Sequence, residues 1–367
     1  MYDNRQIKSV KQFDTSSTAT NTYFDSLIDM NHLYNAYVLC TANVYWKKSV
    51  QSFEANLLSN LVDLRKDIIN GTYKQKPFYE FDISERGKKR HIKALTFRDR
   101  VFQKALCEYV LKPLILPKLI YDSGAGIKGK GVRFSRERLV AHLQKYYKAN
   151  KTNVGYIAIG DFKNYYGSIV HHDLMLMVER LISDIRILNL IYAGIAPYGD
   201  GVSLGLGSDS VTMLASLYAT PIDNYCKIVR SCKYYARHND DFYIISSDIG
   251  FLKDMLTNID RIATSMGLKL NAKKTQIYRI DKGFKYLQQK IILTETSRVV
   301  MIPNSDRIAA EKHKLKSLKK KGRPYDYIYK QYYDFRGSML KYDAYHSIKS
   351  ADNYFNKLFD KEITWKY

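Results

Sequence analysis

Tyr234-Tyr235-Ala236-Arg237-His238-Asn239-Asp240-Asp241-Phe242-Tyr243-Ile244-Ile245 is the stretch on which the reading of this chain turns. Two apolar runs flank turn-forming residues, so it reads as a hairpin with Asp240 and Asp241 at its bend. An earlier apolar run, Gly155-Tyr156-Ile157-Ala158-Ile159-Gly160-Asp161, ends in a third carboxylate. Phosphodiester formation by in-line attack uses two divalent ions about 4 Å apart, one activating the attacking hydroxyl and one steadying the leaving pyrophosphate. Mg²⁺ prefers hard oxygen ligands and keeps several waters, so two or three carboxylates suffice. Adjacent aspartates on a tight turn repel each other unless a cation sits between them. An Asp-Asp turn alone is more often a solvated hairpin end. The weight rests on the combination of strand-borne Asp161 with the Asp pair.

The charge balance points the same way. The chain has 367 residues, with 59 basic against 36 acidic and a net charge of +23. A polyanionic partner is expected, and with the three carboxylates this means a nucleic-acid polymerase. An anionic membrane is the competing explanation, but no lipidation signal accompanies a basic amphipathic helix. No apolar stretch reaches the roughly 18–20 residues that span a bilayer, and the N-terminus lacks the apolar core of a secretory signal. A cytoplasmic protein without a membrane partner is expected. Cys40, Cys107, Cys226 and Cys232 form no CxxC pair and read as buried thiols. The 32 tyrosines suit base stacking, though most must serve packing.

Along the chain, residues 1–30 are polar and read as a tail or loosely packed extension. Phe53, Leu57, Leu61, Leu64 and Ile68 recur at helical spacing, predicting one helix from Val50 to Ile69. Phe78 to Leu95 reads as a hairpin turning at Arg86-Gly87, and Phe97 to Leu116 as a helix that Pro117 interrupts. Ser123 to Gly131 is a glycine- and lysine-rich loop before a helix from Ser135 to Tyr147. Gly201 to Ser210 is a second glycine-rich loop, opening an apolar helix, and Leu252 to Met266 is helical. Arg307 to Arg323 is strongly basic and precedes a tyrosine-rich helical end.

The order of these segments resembles the reverse transcriptases. The strand-borne Asp of that family, followed by aromatics and Ser-Ile, is matched by Asp161-Phe162-Lys163-Asn164-Tyr165-Tyr166-Gly167-Ser168-Ile169. The family's glycine loop resembles Ser203-Leu204-Gly205-Leu206-Gly207-Ser208, and its tyrosine-x-Asp-Asp hairpin resembles His238-Asn239-Asp240-Asp241. Leu270-Asn271-Ala272-Lys273-Lys274-Thr275 and Gly283-Phe284-Lys285-Tyr286-Leu287 are similar to the lysine-threonine segment and the primer-grip hairpin. The resemblance is closest to diversity-generating-retroelement enzymes and to the defence-associated unknown group. It covers about Trp46 to Phe359. His238 stands in place of the usual Tyr, Leu206 in place of the Gln of replicative members, and Gln288 in place of a primer-grip Gly.

The resemblance implies an α+β right-hand polymerase with fingers, a palm of antiparallel sheet and a short helical thumb. Its expected divisions are an N-terminal extension over 1–45, fingers over 46–154, palm over 155–300 and a basic thumb over 301–367. No maturase-like extension, endonuclease or RNase H domain is expected. Asp161, Asp240 and Asp241 are the expected metal ligands, joined by the Phe162 carbonyl, for two Mg²⁺ ions with Mn²⁺ as substitute. Tyr166 would pack under the sugar and exclude a 2′-hydroxyl, although ordinary core packing would explain such a ring as well. Lys274 would protonate the leaving pyrophosphate, the alternative being one surface lysine among many. Lys89 and Arg90 would clamp the triphosphate. Leu206 and Gly207 would adjoin the nucleotide, and Leu206, unable to hydrogen-bond the nascent pair, suggests relaxed fidelity. Lys130, Lys314, Lys319, Lys320 and Lys321 would hold nucleic acid through phosphates.

The expected reaction is synthesis of DNA from dNTPs on an RNA template, with a DNA primer or product. A structured non-coding RNA is the expected template, in antiphage defence, with diversity generation as the second setting. An accessory protein or self-assembly would compensate for the small thumb. A template-independent or protein-primed DNA polymerase, and a binding module without catalysis, are the alternatives from other classes.

Overall fold

A computed structural model describes residues 22–85, 88–340 and 342–365 of the chain. The expected turn at Arg86-Gly87 lies outside the described residues. The architecture mixes helix and antiparallel sheet. Helices α1 (Thr22–Ile28), α2 (Met30–Thr41), α3 (Lys48–Glu54) and α4 (Leu57–Ile69) come first. Strands β1 (Tyr79–Glu85) and β2 (Lys88–Ala94) pair as an antiparallel hairpin. Helix α5 (Phe97–Leu106) runs through a π-helical turn at Cys107–Leu111 into α6 (Lys112–Ile115).

Two expectations change here. Residues 22–30 are no loose extension: Phe24 and Leu27 are buried in the main core, and the Arg186 guanidinium stacks 3.9 Å from the Phe24 ring. Residues 1–21 of that expected tail lie outside the described residues. The single helix from Val50 to Ile69 is two, broken at Ala55-Asn56. The Asn60 amide donates to the Phe53 carbonyl (2.9 Å), satisfying a helix-end group that periodicity alone does not reveal.

The part that positions the carboxylates is a four-stranded sheet in the order β4-β5-β3-β6, antiparallel throughout. Helix α7 (Val132–Asn150) leads into β3 (Tyr156–Asp161), then follow α8 (Tyr165–Ser168), α9 (His171–Glu179), α10 (Ile185–Ile195), α11 (Asp209–Tyr218) and α12 (Thr220–Asn224). Strands β4 (Tyr235–His238) and β5 (Asp241–Ser246) form the hairpin, and α13 (Ile249–Ser265) precedes β6 (Gln276–Arg279). Both faces of the central strands β3 and β5 are covered, which is why these two are nearly continuously apolar, whereas the edge strand β6 is not. Ala158, Tyr235, Phe242 and Ile244 join the core that holds α9 to α13. Ile157, Ile159, Ala236, Tyr243 and Ile245 face a second core with Leu139, Leu143 and Tyr146 of α7. That core also receives the small sheet of β7 (Phe284–Tyr286), β8 (Gln289–Leu293) and β9 (Val299–Pro303). Gly160 is needed where strands β3 and β5 meet, because a Cβ there would lie 2.2 Å from the Phe242 ring.

A third core joins α14 (Ser305–Lys320), α15 (Tyr325–Met339) and α16 (Tyr345–Phe359) around Leu315, Ile328, Tyr332 and Phe355. Among the described residues no helix is long and apolar enough to cross a membrane.

One charged pair ties the hairpin to the helices. Arg237 and Asp223 have 0% side-chain exposure and are bonded twice, Nε to Oδ1 at 2.9 Å and Nη2 to Oδ2 at 2.7 Å. Arg237 also donates to the carbonyls of Asn239 (3.0 Å) and Ser216 (3.2 Å), and the Tyr235 hydroxyl donates to Asp223 (2.6 Å). Removing one partner strands the other as a buried charge. Arg237→Met alone should therefore destabilise the fold by about 3–5 kcal/mol, measured by urea denaturation. Adding Asp223→Leu should recover most of that loss, because a pair of apolar side chains leaves no buried charge.

Candidate active site

The pairing of β3 with β5 sets Asp161 opposite Asp241. Asn239 and Asp240 form the bend, and Asp241 is the first residue of β5, opposite His238. Asn239 has φ +55°, a left-handed conformation that asparagine adopts more readily than most residues. The Asp240 carbonyl accepts from the Phe162 N–H at 3.2 Å, closing the hairpin tip onto the end of β3. Asp240 faces a cavity of about 770 Å³, Asp241 a smaller one of about 280 Å³, and Asp161 lines both.

A further segment is bound to the end of β3. The Lys163 N–H donates to the Lys269 carbonyl and the Asn271 N–H to the Asp161 carbonyl, each at 2.8 Å. This brings the Asn271 amide to Asp161 Oδ1 (3.0 Å) and the Lys274 ammonium to Asp161 Oδ2 (2.6 Å). The Lys274 pKa is raised, first by that hydrogen bond, so its proton is held firmly. Burial pushes the Asp240 carboxyl up. Burial, then the neighbouring Asp240 and Asp161 charges, push Asp241 up to about 7. The site is thus a crowd of acceptors short of positive charge. Among the described residues no three His, Cys, Asp or Glu side chains are arranged to hold an ion by themselves.

The larger cavity is also lined by Tyr166, Leu206, Asn239, Lys93 and Tyr198. Its neighbour, of about 740 Å³, shares Lys93, Tyr198 and Leu206 and adds Gly207, Tyr79, Phe81 and Arg100. Gly205 has φ +67°, and a Cβ there would lie 2.0 Å from the Tyr198 ring, so only glycine fits this junction. Leu206 is half exposed between the two cavities. The Phe162 ring is buried against Tyr165 and Phe242.

Other expected residues lie elsewhere. The Lys89 and Arg90 side chains lie outside the described residues. Lys130 turns into its own loop, donating to the Tyr121 (2.5 Å) and Ser123 (3.2 Å) carbonyls between two aromatic rings. Lys314 is exposed midway along α14 beside Glu311 (3.5 Å), and Lys319, Lys320 and Lys321 are exposed at its end; none of the four lines either large cavity. Lys319 donates to the Leu358 carbonyl. His238 accepts or donates at Ser135 Oγ (2.9 Å), and its pKa is lowered by burial and then by Arg237 and Arg136. Leu287 and Gln288 both have positive φ in the bend between β7 and β8, a strained choice where glycine or asparagine is usual. The Arg136 guanidinium donates to the Leu287 carbonyl at 2.6 Å.

Asn271, Asn239, Lys93, Tyr198 and the Arg237–Asp223 pair escaped the sequence reading. Arg237 alone carried a signal, since an arginine inside an apolar strand needs a buried partner.

The raised Asp241 pKa makes a pH prediction. The folded chain binds more protons at this residue than the unfolded chain between about pH 4 and 7. Its contribution to stability therefore falls as pH rises through that window. Asp241→Asn should melt a few degrees above wild type at pH 8, with the gap closing toward pH 4, as measured by thermal denaturation.

No protein-family model matches the chain. The chain is 24% identical over 288 residues to Protein YkfC of Escherichia coli strain K12, covering 65% of this chain and 73% of that protein. Among solved structures it is similar to telomerase from Candida albicans in complex with a TWJ fragment of telomeric RNA, with TM-score 0.49 and 13% identity. That likeness covers 77% of this chain and 58% of the other. It is also similar to apo telomerase from Candida tropicalis truncated from its C-terminal domain, with TM-score 0.48, 13% identity and coverage of 66% and 60%. The chain thus spans under two thirds of each of these two telomerase chains.

Proposed function

We propose that this protein is a template-directed nucleic-acid polymerase, and more specifically an RNA-directed DNA polymerase. The observation that carries the reading is the convergence on one cavity of Asp161, Asp240, Lys274, Tyr166 and Leu206, with Asp241 paired beside Asp161. In right-hand terms, residues 46–154 with the β1–β2 hairpin would be the fingers, residues 155–300 with the four-stranded sheet the palm, and residues 301–367 with α14 to α16 the thumb, after an extension over 1–45.

The chemistry of these donors would suit Mg²⁺. Hard carboxylate oxygens crowd together with raised proton affinity, which a divalent cation relieves. Asp161, Asp240 and Asp241 would hold it, with the phosphates of a nucleotide completing the shell, the usual habit of this ion. When bound, such ions lower the pKa of the attacking hydroxyl and neutralise charge on the leaving pyrophosphate. Asn271 and Lys274 orient Asp161 through its two oxygens. Lys274, protonated and half exposed to the cavity, can deliver its proton to the leaving group. The Tyr166 ring would bound the sugar side. The aromatic and basic wall of the neighbouring cavity, with exposed Tyr79 and Phe81, suits the unpaired template.

The motifs resemble those of defence-associated enzymes, which supports antiphage defence on a dedicated non-coding RNA as the setting. The test is sequencing of nucleic acid that co-purifies with wild type and with Asp240→Ala/Asp241→Ala. Complementary DNA is expected from wild type only, and its persistence in the double variant would overturn the assignment of the carboxylates. DNA covalently attached to the protein after denaturation would instead show priming from a tyrosine. Leu206→Gln should lower misincorporation on a defined template, because an amide between the cavities can bond the nascent pair; an unchanged error rate would remove Leu206 from fidelity.

A further inference from the structure

Tyr166 and Asn239 are separated widely in sequence and meet at the wall of the 770 Å³ cavity. The Tyr166 hydroxyl donates to Asn239 Oδ1 at 3.2 Å. The ring is also wedged edge-on against Tyr165, with centroids 5.6 Å apart. The Thr212 hydroxyl, which donates to the Ser208 carbonyl at 3.2 Å, is a second hydrogen-bonding partner of the phenol. Asn239 in turn does not drift, because Arg237 Nη1 holds its carbonyl at 3.0 Å. A chain of contacts therefore runs from the buried Arg237–Asp223 pair, through the bend residue, to the tip of the ring.

We propose that Asn239 is a positioning residue for sugar selection: it fixes the Tyr166 ring where a ribose 2′-hydroxyl would have to fit. This rests on the polymerase reading above. A ring anchored at both its base and its hydroxyl cannot tilt away from an added oxygen. A ring anchored only at its base can rotate about its side-chain bonds and admit a ribonucleotide. The bend residue beside the Asp pair thereby acts on substrate choice without touching the reacting atoms.

The test compares kcat/KM for dTTP and UTP on poly(rA) primed with oligo(dT), using wild type, Asn239→Gly, Tyr166→Phe and the double variant. Glycine tolerates the positive φ of this position, so Asn239→Gly removes the amide without straining the bend. Loss of one net hydrogen bond should lower the preference for dTTP over UTP about 2- to 10-fold. Tyr166→Phe, which also loses the bond with Thr212, should fall at least as far, and the double variant should fall no further than Tyr166→Phe, since Asn239 acts through that hydroxyl. Melting temperatures close to wild type would separate this effect from misfolding. A wild-type preference in Asn239→Gly, or a double variant that falls by the product of the single effects, would overturn the proposal. Failure of wild type to incorporate either nucleotide would instead overturn the polymerase reading, and this inference with it.

Discussion

The bidentate pair of Arg237 and Asp223 is the contact on which the site geometry depends. Both groups are fully buried, so each would be costly without the other. Arg237 spends its remaining donors on the carbonyls of Ser216 and Asn239. One guanidinium thus binds a helix, a helix-borne carboxylate and the bend that precedes the aspartates. The loop before α7 is also attached to Arg237, whose backbone N–H donates to the Asp122 carbonyl and whose carbonyl accepts from Gly124. Rigidity here matters because the adjoining residues repel one another.

That repulsion is the second organising feature. Asp161, Asp240 and Asp241 are held together by pairing of apolar strands, not by attraction among themselves. The Asn271 and Lys274 side chains relieve the tension at Asp161, while Asp240 and Asp241 respond by binding protons more tightly. On the proposed reading, this electrostatic demand would give a polyanionic, cation-bearing substrate a place to bind. The two cavities that share Leu206 and Tyr198 would give it room.

Much of the backbone was legible in the sequence. The run into Asp161, the hairpin around Asp240 and the helix before β6 follow from apolar periodicity and turn residues, and the structure forms all three. Local pattern misled where side chains from elsewhere decide the outcome. The break at Ala55-Asn56 is stabilised by Asn60, and the polar stretch after Thr22 becomes helix because Phe24 and Leu27 find a core to enter. The bonds of Lys130 to two loop carbonyls are likewise a pairing that its charge alone does not reveal.

The sequence by itself determined that carboxylates would end one apolar strand and head another, in a basic chain rich in aromatic residues. Strand periodicity and charge are local properties, carried by each residue wherever it lies. Tertiary structure alone decided that Asp161 faces Asp241, that Asn271 and Lys274 reach the same carboxylate, and that Arg237 finds Asp223. Those are pairings between distant segments, selected by burial and hydrogen-bond satisfaction across the whole fold, and no local pattern encodes them.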